Sequence, residues 1–224
     1  MSHLKKSDLR NDLGQLLKAS YLPQKEAKEK LKNNYDYDHE LSKMDTKVLI
    51  DKKTGNPVIL HRGSKRFQDY LDDGLLLFGL EKHSKRFQDA KEITKKVEEK
   101  YNKPASSVGH SLGGSIAEKS NAKGDIITYN KGSGLADIGT KKNNNRQLDV
   151  RADGDIVSLL GNTQNSNKEA VKNKGYNPLS SIIHNAFYAH KTDNLFNEPD
   201  KSNILFQNEK NENDLNDLLE SPII

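Results

Sequence analysis

Ser111 stands in Gly109-His110-Ser111-Leu112-Gly113-Gly114, with a glycine two positions away on either side. That spacing suits a nucleophile. A serine at the apex of a sharp strand-to-helix turn is strained and presented outward, and side chains two residues before and after it would collide there. The amide of Leu112 would lie beside the hydroxyl at the start of the helix. A serine hydroxyl is a weak nucleophile by itself, so the chemistry requires a base and a carboxylate that orients the base. Where a serine sits on such a turn, the acid follows it in the chain and a histidine follows the acid. Asp153 and Asp155 lie just past a stretch that reads as a strand, and the histidines after Ser111 are His184 and His190. His110 is excluded by geometry, because a ring adjacent to the serine on the turn cannot swing back to take the hydroxyl proton.

The elements around the turn fit this reading. Ile93 to Tyr101 has the pattern of the end of an amphipathic helix, Asn102-Lys103-Pro104 breaks it, and Ala105 to Val108 is a short strand entering the turn. Gly113 to Lys119 can continue as a helix whose first turn is all small residues, which lets it lie close against a sheet. The pattern alone is weak, since glycine and serine are common residues. The strand-turn-helix context strengthens it.

Further out, Leu9, Leu13, Leu16 and Leu17 share one helical face over residues 7–19, and Pro23 can open a second helix running to about Asn33. Thr46 to Asp51 and Pro57 to His61 read as the two strands of a hairpin around Lys52 to Asn56. Asp125 to Tyr129 and Gln147 to Ala152 read as further strands, and the apolar run Gly74 to Leu80 as a buried strand or the underside of a mobile lid, with core the favoured reading. Gly161 to Asn177 is polar and reads as a surface excursion. Ser-Lys-Arg-Phe-Gln-Asp occurs at 64–69 and again at 84–89, too little repetition for a solenoid. The expected organisation is an N-terminal helical segment, 1–45, packed on a domain at 46–195, followed by a polar, mobile tail at 196–224 with one short helix around Leu215 to Leu219.

Composition sets the outer bounds. The chain has 224 residues, 33% hydrophobic and 30% charged, with no Trp and no Cys, so it can build one compact core but no disulfide framework and no thiol chemistry. The net charge of +4 is spread among alternating lysines and acids, as at Lys95 to Lys100, which describes a solvated helix face and argues against nucleic acid as a partner. Peripheral attraction to anionic lipid headgroups is compatible with it. No apolar run approaches the roughly 18 residues of a membrane span, and Met1 to Arg10 is too polar for a signal-peptide core. The expectation is a soluble chain with no visible export signal.

Three separated segments resemble the class 3, fungal-type lipase family of the α/β hydrolases. Val58-Ile59-Leu60-His61-Arg62-Gly63-Ser64 resembles that family's strand ending in Arg-Gly-Thr/Ser, with Asp69-Tyr70-Leu71-Asp72 similar to the Asp-Trp-x-x-Asp that follows it. Gly109 to Gly114 is similar to the family's Gly-His-Ser-Leu-Gly-Gly without substitution. Gly154-Asp155-Ile156-Val157-Ser158-Leu159-Leu160 resembles Asn-Asp-x-Val-Pro-x-Leu. The proline after Val157 is missing, Tyr70 replaces a tryptophan, and no long lid is evident. The loop Asn130 to Gly134 also resembles one in lipase-like proteins of some large DNA viruses, which would allow a virion-associated as well as a cytoplasmic setting.

The resemblance implies an α/β-hydrolase fold, a compact and mostly parallel sheet flanked by helices. It implies Ser111, Asp155 and His190 as the catalytic triad, and Ser64 and Leu112 as the oxyanion donors. His190 stands in Tyr188-Ala189-His190, similar to the family's late Ala-His ahead of a polar turn, whereas His184 follows two isoleucines in a setting better suited to packing. The implied activity is hydrolysis of a lipid ester, acylglycerol or phospholipid, through an acyl-enzyme, with no metal or organic cofactor. Acyl transfer uses the same residues. The alternative from another class is a non-catalytic structural or binding protein that keeps the fold.

Overall fold

Lys6–Tyr21 (α1) is the first helix, and its leucine stripe becomes a buried face: Leu13, Leu16 and Leu17 are shielded from solvent together with Ala19. The computed structural model describes residues 6–64, 84–132, 146–153, 167–171 and 191. Pro23, with φ −53°, precedes Gln24–Leu31 (α2), where its fixed torsion suits a helix start; Ala27 and Leu31 of α2 point inward. Tyr35–Asp38 (β1) then pairs antiparallel with Thr46–Asp51 (β2), which pairs antiparallel with Pro57–His61 (β3). The expected hairpin of β2 and β3 is present. Its turn is closed by the Asp51 carboxylate, which accepts the amides of Lys53 and Thr54 at 2.8 Å each, and by Gly55 at φ 69°.

Ser84–Tyr101 (α3) ends where Asn102 turns left-handed, at φ 50°, two residues before Pro104. Ser106–His110 (β4), Leu112–Glu118 (α4), Ile126–Tyr129 (β5), Gln147–Ala152 (β6) and Asn167–Val171 (β7) follow. Among the described residues seven strands lie in one sheet in sequence order, antiparallel from β1 to β3 and parallel from β3 to β7. The architecture is α/β with a mixed sheet.

Alternation along the strands explains the layers. Val58 and Leu60 join the leucines of α1 and α2 on one face, with Leu49, Val108, Ile127 and Tyr129. Ile59 joins Val48 with Ile93 and Val97 of α3 on the other. Phe87 and Ala90 of α3 pack against Leu112 and Ile116 of α4. Strands covered on both sides read as continuous apolar runs, as β3 does. Each fully buried Val, Leu or Ile contributes about 1.5–3 kcal/mol to folding.

Two elements differ from expectation. Residues 35–38 form a strand where none was anticipated, and 167–171, inside the stretch read as a surface excursion, form a strand paired with β6. Both lie at the outside of the described sheet, where polar residues are usual and hydrophobic patterning is weak. The apolar run 74–80, the segment Asp69 to Asp72, residues 133–134 of the loop, and the tail at 196–224 lie outside the described residues. Among the described residues no helix is long and apolar enough to cross a membrane.

Candidate active site

Ser111 links β4 directly to α4 with φ 57° and ψ −128°, a conformation that L-residues rarely adopt. Such strain costs on the order of 1–3 kcal/mol and persists where surroundings over-determine it. Here they do. The Ser111 amide donates to the Tyr129 carbonyl of β5 at 3.0 Å, and the Ser111 carbonyl accepts from the amides of Gly114, Ser115 and Gly132 at 2.9, 3.3 and 3.1 Å. The flanking glycines are required by contact: a Cβ on Gly109 would overlap the Gly113 backbone, and one on Gly113 would overlap the His61 carbonyl of β3. The turn is therefore pressed against the end of the neighbouring strand.

That strand end carries Gly63 and Ser64. A Cβ built on Gly63 would stand 3.2 Å from the Ser111 Cβ and 2.8 Å from the His110 carbonyl. Ser64 follows, half-buried. On the other side Leu112 begins α4, so its amide has no acceptor within the helix. Ser111, Leu112 and the Gly63-Ser64 segment are thus brought together at the carboxyl ends of the parallel strands β3 and β4.

Behind the turn, Lys131 is almost fully buried, with Nζ 2.9 Å from Glu118 of α4 and 3.3 Å from Asp149 of β6. Asp149 also accepts from Thr128 Oγ1 at 2.7 Å and from Gln147 Nε2 at 2.8 Å. Asn130, at φ 43°, accepts the Ala152 amide at 2.8 Å, and the Ser115 hydroxyl donates to the Gly132 carbonyl. These contacts fix the 130–132 loop that bonds the Ser111 carbonyl. A lone lysine in a polar loop carries no sequence signal of burial, so Lys131 was not anticipated.

His110 Nδ1 shares a 2.7 Å hydrogen bond with the Tyr21 hydroxyl, and its ring stacks on Tyr129 at 5.6 Å. His61 is fully buried, and among the described residues neither ring nitrogen has a hydrogen-bond partner. Burial, with Arg86 as the second cause, pushes its pKa down to about 3. It is a neutral core group.

Asp155, His184 and His190 lie outside the described residues. Asp153 is described, exposed and immediately past the carboxyl end of β6. Next in the chain to His190, Lys191 offers its carbonyl to the Tyr129 hydroxyl at 3.2 Å. Among the described residues there is no cluster of His, Cys, Asp and Glu that could hold a metal ion.

A family model described as phospholipase-like, the Tle-like phospholipase domain, matches residues 18–184. The chain belongs to this family. The Tle-like match takes in the end of α1, the hairpin, the serine turn and Asp155, and it stops at His184, six residues short of His190. Membership in a phospholipase-like family points to hydrolysis of lipid esters as the activity, and to a lipid as the substrate class. A comparison with curated proteins found no match.

Proposed function

We propose that the protein is a serine hydrolase of the α/β-hydrolase fold, in the manner of the class 3 lipases it resembles, and that it cleaves a carboxylic ester of a phospholipid through an acyl-enzyme. The observation that carries this reading is Ser111 at φ 57° on a glycine-flanked turn, at the carboxyl end of the middle strand of seven, facing the end of β3. The parallel run from β3 to β7 with helices on both faces supports the fold assignment.

In the reaction, Ser111 Oγ attacks the ester carbonyl carbon while His190 accepts its proton. Asp155 holds the imidazole in the right tautomer and stabilises it when charged. The amides of Leu112 and Ser64, with the Ser64 hydroxyl as a third donor, receive the oxyanion, each donor being worth about 3–4 kcal/mol in the transition state. The tetrahedral intermediate collapses, the C–O bond to the alcohol portion breaks, and His190 gives the proton to that leaving alcohol. Water then attacks the acyl-serine with His190 again as base, releasing the fatty acid and restoring the hydroxyl. The Tyr129 bond to Lys191 supports His190 over His184, because it ties the residue next to His190 to the strand beside β4.

The test is labelling of the intact protein with a fluorophosphonate, followed by peptide mapping, and hydrolysis of phosphatidylcholine and phosphatidylglycerol vesicles. Label on Ser111, and loss of both label and hydrolysis in Ser111→Ala with the fold retained, is the expected result. Label on another serine, or full activity in Ser111→Ala, overturns the reading.

A further inference from the structure

Tyr21 closes α1, ninety residues before the serine in the chain, yet its hydroxyl reaches His110 and Gly63 beside the serine turn. On one side it shares the 2.7 Å hydrogen bond with His110 Nδ1, with the two rings edge-on at 5.8 Å. On the other it abuts Gly63 so closely that a Cβ on that glycine would overlap it. A single oxygen therefore holds the His110 side chain, next to Ser111 on the β4 turn, and packs against Gly63, next to Ser64 at the β3 end, the two segments whose amides are assigned to the oxyanion.

The hydroxyl is not needed to dock its helix. Leu13, Leu16 and Leu17 already bury α1 against the sheet with Leu60 and Val108. The Lys47 ammonium, itself buried in β2, donates to the Ser20 carbonyl at 2.6 Å and anchors the last turn. What the hydroxyl adds is a spacer between two strand ends. The separation of the Ser64 and Leu112 amides sets the width of the oxyanion pocket, and displacement of reacting groups by about 1 Å can cost up to about a hundredfold in rate.

We infer that Tyr21 is a positioning residue for ester hydrolysis, wedged between the β3 end and the serine turn to set the spacing of the oxyanion amides. This rests on the hydrolase reading above. Tyr21 acts through His110 and Gly63 and does not itself contact substrate.

The experiment compares wild type, Tyr21→Phe, His110→Ala and the double variant. It measures the second-order rate of fluorophosphonate labelling at Ser111, kcat and KM on a soluble p-nitrophenyl ester, and the thermal midpoint. Tyr21→Phe keeps the ring and removes only the oxygen. It is expected to slow labelling and kcat by about tenfold or more with KM and the midpoint little changed. In the double variant, loss of the tyrosine oxygen is expected to cost less than it does in wild type, as contacting residues couple. Wild-type labelling in Tyr21→Phe overturns the inference, as does a slow rate that returns to wild type once corrected for the folded fraction, or strict additivity in the cycle. Should Tyr21→Phe fail to fold, His110→Asn, which keeps a hydrogen-bonding group opposite Tyr21, is compared with His110→Ala. Equal labelling by those two overturns the inference. A wild-type protein that takes no label at Ser111 overturns the hydrolase reading and the positioning role together, whereas a labelled wild type beside an equally fast Tyr21→Phe overturns only the latter.

Discussion

Ser111 illustrates how one residue can be held against its own preference. Its positive φ is sustained by four backbone hydrogen bonds from β5, α4 and the 130–132 loop, so the strain is distributed over three elements. The residues expected to complete the chemistry can be ranked by substitution. Asp155→Asn should lower kcat by about 10⁴-fold, the loss that follows when a triad aspartate becomes asparagine and the histidine adopts the wrong tautomer, while Asp153→Asn should leave it within a few-fold. Steady-state hydrolysis of a p-nitrophenyl ester checks both, and the reverse ranking would move the acid to Asp153. His190→Ala should abolish turnover and His184→Ala should not. The family match ends at His184, so loss of turnover in the His184 variant alone would reassign the base while sparing Ser111.

At the scale of elements, the turn depends on α4 and the 130–132 loop being clamped together by charge. Lys131 lies between Glu118 and Asp149, all three with little solvent access. A buried ion pair adds little net stability compared with apolar residues, but removing one partner leaves an uncompensated charge. Lys131→Met removes the ammonium that both carboxylates share, and the expected cost is about 3–5 kcal/mol of folding stability, read from the urea midpoint. Much of that should return in Lys131→Met combined with Glu118→Gln, since the second change removes one of the two carboxylate charges beside the lost ammonium. A Lys131→Met protein as stable as wild type would show that the clamp contributes nothing to the loop.

For the whole molecule, burial on both faces of the sheet leaves titratable groups inside, and His61 is one that acts on the acid side. Its folded pKa lies near 3 against 6.5 unfolded, through burial first and the Arg86 charge second. Below pH 6.5 the unfolded chain binds a proton that the folded chain refuses, so stability falls as the pH drops from about 6.5 towards 3. Across that window the loss reaches on the order of 5 kcal/mol at 1.36 kcal/mol per pH unit. Chemical denaturation at a series of pH values should show this slope in wild type and a flatter one in His61→Phe. Parallel slopes in the two proteins would mean that His61 does not carry the acid sensitivity.

Much of the architecture was legible because its signals are local. The glycine spacing around Ser111, the Asp51-to-Gly55 turn, Pro23 before α2 and the leucine period of α1 each encode a backbone preference within a few residues, and the structure contains the corresponding turn, hairpin and helices. The strand β5 announced itself as an apolar run and β6 by the alternation of Leu148, Val150 and Ala152 with polar residues, for the same reason. β1 and β7 did not, because a strand at the side of a sheet takes its conformation from the neighbour it pairs with, and Tyr-Asp-Tyr-Asp or Asn-Lys-Glu-Ala-Val has little pattern to declare it. Tyr21, Lys131 and His61 were equally silent. Their roles arise from contacts such as the 89-residue span between Tyr21 and His110, and from loss of solvent around polar side chains. The sequence by itself determined that a serine would sit on a strained turn between a strand and a helix. Tertiary packing alone decided what holds that turn at its distance from Gly63, because burial and long-range proximity are properties of the assembled sheet and not of any segment within it.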